Sequence, residues 1–230
     1  MKDYGETFKT SDFMGMFGLC QSCKEFEGFG VITGRSGFGK TYSLKRYAER
    51  DKVIYIECNE CMTVRDLIKE IEEIAGVAHT YGSINDGLKS IKHFFRTHQG
   101  YLLIVDEADK LANKYTQKKL EIIRSIYDQS NLGVVLAGEP VLESLVERFI
   151  PRSASRIDLL YELRGLSENE VLEYLQEYNF TDEAANEMIR RATNSKNGCF
   201  RLLNRTFRNV LGLPEKRRKL TLTPSEPQAA

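Results

Sequence analysis

The stretch GVITGRSGFGKTYSL, residues 30–44, carries the first residues whose types and spacing could do chemistry. Gly34, Gly39, Lys40 and Thr41 fit the pattern G-x-x-x-x-G-K-[ST]. Glycines let backbone N–H groups approach phosphate oxygens without an intervening Cβ. A helix starting at the same point adds its positive end. Lys40 would place a point charge on β- and γ-phosphates, and the Thr41 hydroxyl suits Mg²⁺. The expected nucleotide-binding set is Gly34, Arg35, Ser36, Gly37, Phe38, Gly39, Lys40, Thr41 and Tyr42.

The second such stretch is YLLIVDEAD, residues 101–109. Asp106 stands where an apolar strand ends, at the sheet edge where α/β proteins bind ligands. It is expected to hold Mg²⁺, directly or through water. Glu107 follows and is placed to polarise an attacking water. An acid pair at a strand end is a modest signal alone; a phosphate cradle upstream makes it specific.

These residues need elements that bring them to one edge. FGVIT reads as a buried strand and residues 40–50 as the helix behind the cradle. KVIYIE and LGVVLAGE read as strands, and RIDLLYEL as a final short one. TVRDLIKEIEEIAG is an amphipathic helix stopped by Gly76; SINDGLKSIKHFFRTHQG is a helix capped by Ser83 and stopped by Gly100. TQKKLEIIRSIYDQS is a further helix. The alternation predicts a parallel sheet covered on both faces. From LSENEVLEYLQEY onward the pattern is helical, and TLTPSEPQAA has no core-forming content.

At 230 residues the chain has room for one α/β domain and a small accessory domain. It lacks a run of about 18 apolar residues and an apolar signal core near its start, which predicts a cytoplasmic protein without a membrane span. The 33 basic and 33 acidic residues cancel, so net charge does not announce nucleic acid. Between Lys196 and Lys219, eight basic residues accompany one acid, Glu215. That stretch is either a solvated helical face or a surface for DNA or a partner. Cys20/Cys23 and Cys58/Cys61 form two C-x-x-C pairs. The first pair precedes the first strand and the second follows the second strand. Opposite sheet edges argue against one shared zinc site, and the thiols are expected reduced and partly buried.

The order of the cradle, LLIVDEAD, GVVLAGE, RSASRIDLLYELRGLS and GCFRLLNRTFRNV resembles the AAA+ ATPases. More narrowly, VITGRSGFGKT, LLIVDEADKL, LGVVLAGEPVL, SRIDL and RLLNRTFR together resemble transposition ATPases of the phage Mu B and TnsC type. The resemblance covers about residues 5–212. It implies a P-loop AAA+ α/β fold, with a parallel five-stranded sheet flanked by helices and a small C-terminal helical lid domain. The expected division is an AAA+ core over 1–165, a lid over 166–213 and a basic, then disordered, tail over 214–230.

The resemblance also implies roles. Arg152 and Arg156 match the trans-acting arginine that serves a neighbouring subunit's γ-phosphate, with Arg152 the better candidate. Arg201 matches the second sensor, which brings the lid onto the nucleotide. Glu139 stands where the family places a neutral polar residue facing the γ-phosphate. A carboxylate there would repel phosphate unless turned away or protonated, which implies slow hydrolysis. Arg65 and Ser83, with Lys89 nearby, match the DNA-facing positions of TnsC-type filaments and would touch phosphates; the plain alternatives are a helix-surface arginine and a helix cap. The Mu protein carries a DNA-binding domain ahead of its ATPase, whereas this chain begins almost at the ATPase, so DNA contact is expected from the ATPase body or another protein. The implied function is an ATP- and Mg²⁺-dependent ATPase that assembles head to tail on duplex DNA, engages a transposase and is released by hydrolysis. The rivals are a helicase loader and a signalling switch indifferent to DNA.

Overall fold

The computed structural model describes residues 8–78, 82–112, 117–149, 158–176, 180, 182–193 and 199–212. Arg152, Arg156 and the tail over 214–230 lie outside them. Five parallel strands form one sheet: β1 (Phe29–Thr33), β2 (Val53–Glu57), β3 (Tyr101–Asp106), β4 (Leu132–Gly138) and β5 (Leu159–Glu162), in the order β2-β3-β4-β1-β5. β1 and β4 are buried along their whole length, and β3 at every residue but Tyr101. That is why they read as continuous apolar runs rather than alternating ones. Helices flank the sheet, as expected. They are α1 (Ser11–Phe26), α2 (Lys40–Ala48), α3 (Val64–Ala75), α4 (Ile84–Thr97), α5 (Lys118–Asp128) and α6 (Val141–Phe149); later in the chain come three further helices, α7 (Glu168–Leu175), α8 (Asp182–Ala192) and α9 (Cys199–Gly212).

Local chemistry explains the helix boundaries. Thr63 and Asp66 close a capping box on α3, and Gly76 ends that helix in the left-handed region at φ 70°. Ser83 and Asp86 form the same box on α4. The expected stop at Gly100 is corrected: α4 ends at Thr97 with His98 as its cap. The Thr97 hydroxyl bonds the carbonyls of His93 and Phe94, satisfying acceptors that the helix end leaves open. Gly100, at φ 78°, instead turns the chain into β3.

The chain divides into two compact units. The larger comprises Gly15–Gly34 and Lys40–Glu162. Its core joins Val31, Ile54, Ile56, Leu103, Val105, Val134 and Leu136 of the sheet to Leu67, Ile71, Ile91, Phe95 and Ile123 of α3–α5. The smaller comprises Met1–Met14, Arg35–Gly39 and Leu163–Ala230. There the buried Asp12 carboxylate accepts the Arg164 and Gly165 amides at 3.2 and 2.8 Å. Ser167 and Glu170 box the start of α7, and Glu170 also takes the Ser11 amide at 2.6 Å.

Candidate nucleotide site

The C-terminal ends of the central strands stand side by side. Thr33 pairs with Gly138, Val105 with Leu136, and Glu57 with Asp106. Gly34, the first loop residue after β1, donates its amide to the Gly138 carbonyl at 3.2 Å, so β4 anchors the start of the loop. Gly37 and Gly39 adopt φ of 88° and 95°, where a side chain would be strained. Lys40 opens α2 and is buried, and its ammonium donates to the Gly34 carbonyl. Thr41 follows, and Tyr42 is exposed.

Asp106 is fully buried. Tyr55 donates its hydroxyl to Oδ2 at 2.9 Å, and the Glu107 amide donates to Oδ1 at 2.9 Å. Thr41 adds a side-chain hydrogen bond. Burial pushes the Asp106 pKa up, and these three donors oppose that by stabilising the charge. Burial, then the Asp106 charge, pushes the Tyr55 phenol up in turn. A hydroxyl and a carboxylate side by side are a hard, all-oxygen pair that fits Mg²⁺. Among the described residues no group of three or more His, Cys, Asp or Glu could hold a metal ion.

Glu107 takes φ 54° and ψ 35°, a left-handed conformation costing a non-glycine residue about 1 kcal/mol. Its carboxylate pairs with Lys110 at 3.1 Å. This hydrogen bond raises the lysine's pKa. A 3-10 turn over Ala108–Leu111 follows. There Asp109 does something the motif reading missed: its Oδ1 accepts the Glu139 amide at 3.0 Å. Gly138 makes room for it, because a Cβ there would lie 2.2 Å from that oxygen. Glu139 is half-buried at the same strand end. Tyr55 was also missed. Its position follows only from strand register, in which Glu57, two residues further along β2, pairs with Asp106.

Arg201 is exposed in the first turn of α9, next to Phe200. Phe200 lies 3.8 Å from where a Cβ on Gly39 would sit, within the smaller unit. Arg65 is exposed in the first turn of α3, and Lys89 is exposed on α4. The Ser83 hydroxyl is engaged in its cap, donating to Asp86 Oδ2 at 2.7 Å. Cys20 and Cys23 are buried on α1, and burial pushes the Cys23 thiol up to about 12. Cys58 is also buried and pushed up to about 12, first by desolvation, while Cys61 is exposed. Cys23 abuts Gly30 and Gly133 near the strand starts, whereas the Cys58 amide bonds the Asp106 carbonyl at the strand ends. The two pairs therefore sit at opposite edges of the sheet. Among the described residues, no helix is long and apolar enough to cross a membrane.

Residues 24–146 match a family model described as an AAA domain. A Staphylococcus aureus relative described as a potential ATP-binding protein is 26% identical over 242 residues, covering 88% of this chain and 86% of the relative. The Aeropyrum pernix ORC2 protein, solved in ADPNP-ADP complexes, superposes with a TM-score of 0.72 at 14% identity, covering 96% of this chain and 70% of its own. The Aeropyrum pernix ORC1 protein in complex with DNA gives 0.65 at 17% identity, covering 90% of this chain and 60% of its own.

Proposed function

The chain belongs to the AAA domain family of P-loop ATPases, and from that premise we propose that it hydrolyses ATP, assembles head to tail on duplex DNA and serves DNA transposition by marking a target and engaging a transposase. One observation carries the ATPase part: Lys40, Thr41 and the buried Asp106 meet where β1, β3 and β4 end. The DNA part is supported by the order of motifs along the chain, and by a shared fold with an ORC1 protein solved in complex with DNA.

In this reading the loop from Gly34 to Gly39 offers its amides to the phosphates, and Lys40 adds charge at the β- and γ-positions. Thr41 and Asp106 would hold Mg²⁺, which supplies charge neutralisation across the phosphate oxygens when bound. Tyr55 and the Glu107 amide fix the Asp106 carboxylate and oppose the burial that pushes its pKa up. Glu107 polarises the attacking water. Asp109 holds the backbone that aims Glu139, and the Glu139 carboxylate keeps turnover slow. Residues 166–213 act as the lid, with Arg201 reaching the nucleotide, and Arg152 of one copy completes the site of the next.

A site split between copies repeats in one direction, giving a ring or a helix. Sedimentation and electron microscopy with a non-hydrolysable ATP analogue test this, with and without duplex DNA. The expected result is ATP-dependent assembly on duplex, lost in Arg152→Ala while ATP affinity persists. A parent that stays monomeric with both ligands refutes the assembly. Preference for single-stranded DNA and a replicative helicase would favour the loader instead.

A further inference from the structure

We propose that the cleft between α4 and the end of α5 binds the phosphate backbone of a duplex DNA strand. The proposal rests on the DNA-binding reading above and gives it a place. The cleft has a volume of about 390 Å³, and Lys89, Lys92, His93 and Arg96 line it with the amides Asn85 and Gln129. Among the described residues no carboxylate lines it. The nearest acid on α4, Asp86, is committed to the Ser83 capping box.

Lys92 is the anomaly that points to a ligand. It is only 8% exposed, and its ammonium donates to Ser125 Oγ at 2.6 Å and Gln129 Oε1 at 3.1 Å. Both partners are neutral. A buried cation held by neutral acceptors keeps most of its desolvation cost, which a bound anion would relieve. Burial and the neighbouring Arg96 both push the Lys92 pKa down, as an uncompensated positive site should. Arg96 is itself aligned, its Nε donating to the Gln129 carbonyl at 2.8 Å.

The arrangement favours a strand over a single ion. Lys89, Lys92 and Arg96 follow one another at three- and four-residue steps, a row of about 10 Å along the helix axis. That is roughly three phosphate-to-phosphate steps along one strand, so the row spans about four successive phosphates. A site for one phosphate would converge its cations on a point. Among the described residues no Phe, Tyr or Trp ring lines the cleft, and His93 is its one ring able to stack on a base. Contacts of this kind position the chain on DNA without reading sequence.

The test is fluorescence anisotropy of a labelled duplex with the full chain and an ATP analogue, titrated in salt. Lys89→Gln and Arg96→Gln both remove exposed charges, so neither threatens the fold. Each should weaken binding about five- to tenfold at ~0.1 M salt and reduce the salt slope by about 0.9, the value for one phosphate contact. The double variant should lose about twice that slope. Lys92→Gln, checked by thermal melting because it is buried, should do the same. Arg46→Gln, a charge on α2 paired with Glu49 at 3.0 Å, should leave the slope at the parent's value. Equal slopes for parent and cleft variants would overturn the cleft while leaving DNA binding intact. An equal loss in Arg46→Gln, or losses that depend on base sequence, would overturn it too. A parent that binds no duplex would overturn both the cleft and the DNA-binding reading beneath it.

Discussion

The contact between Asp109 and Gly138 can be tested by adding one methyl group. In Gly138→Ala the new Cβ would sit 2.2 Å from Asp109 Oδ1 and 3.2 Å from Leu142 Cδ2. The first distance is impossible, so a group must move. The Asp109 backbone cannot retreat easily, because Ala108 and Leu111 on either side are buried. The carboxylate must rotate away, and the Glu139 amide loses its acceptor. Overpacking costs about 1–3 kcal/mol. The lost charge-assisted hydrogen bond adds about 1 kcal/mol, at the low end because the amide is only half-buried. Together these give about 2–4 kcal/mol, a large share of the ~5–15 kcal/mol that holds such a domain together. The melting temperature should fall by about 5–15 °C. Turnover should fall about ten- to a hundredfold, since a displacement of about 1 Å at a reacting centre suffices for that. Asp109→Ala alone should cost only about 1 kcal/mol. It removes the clashing oxygen, so Gly138→Ala should do little further harm in that background. Urea unfolding of the four proteins gives the coupling, expected at about 2–4 kcal/mol, nearly the whole cost of Gly138→Ala. Strictly additive losses, or a Gly138→Ala protein as stable and active as the parent, would refute the clamp.

Three further outcomes follow from the site and its surroundings. Glu107→Gln should keep ATP affinity and lower turnover about 10²- to 10⁴-fold, read by nucleotide binding against phosphate release. Glu139→Asn should hydrolyse ATP faster than the parent at neutral pH, because a neutral amide can bond phosphate or water without repulsion; an unchanged or lower rate with intact binding would show that Glu139 points elsewhere. Glu187 on α8, hydrogen-bonded to Arg190 and Arg191, is held down at about 2. Its folded value lies below the unfolded one, so its contribution is present above about pH 4 and is lost as pH falls through about 2. Glu187→Gln should therefore cost about 0.3–1 kcal/mol at pH 7, discounted for solvent screening, and nothing at acidic pH, as measured by urea midpoints.

The parts legible in the sequence were those in which local backbone geometry dictates residue type. The cradle needs left-handed glycines at 37 and 39, and β1 and β4 need unbroken apolar runs because both faces are covered. The caps at Thr63 and Ser83 are likewise short-range chemistry. Helix α1 was less visible. Phe13, Met16, Leu19, Cys20 and Cys23 are buried at helical spacing, but Gly15 and Gly18 interrupt the run and weaken its helix propensity. Gly15 is required by a partner far along the chain, since a Cβ there would lie 2.3 Å from the Tyr161 ring. The roles of Tyr55 and Asp109 depend in the same way on strand register, and no local pattern announces register. Gly100 shows the opposite error, a real glycine turn assigned to the wrong task.

The site's cost and its rigidity come from the same contacts. Asp106 is a buried carboxylate and Glu107 a non-glycine residue in the left-handed region; each alone disfavours folding. They persist because neighbours overdetermine them. Tyr55, Thr41 and the Glu107 amide grip one carboxylate, while Asp109 grips the end of β4, whose last carbonyl holds the first amide of the phosphate loop. Loop start, the Asp106 carboxylate and the Glu139 backbone are thus tied to strand ends whose interiors are apolar and fixed. Movement at one strains the hydrogen bonds of the others. The effects of Tyr55, Asp109 and Gly138 substitutions on turnover should consequently be smaller in combination than their sum, as for residues acting through one network.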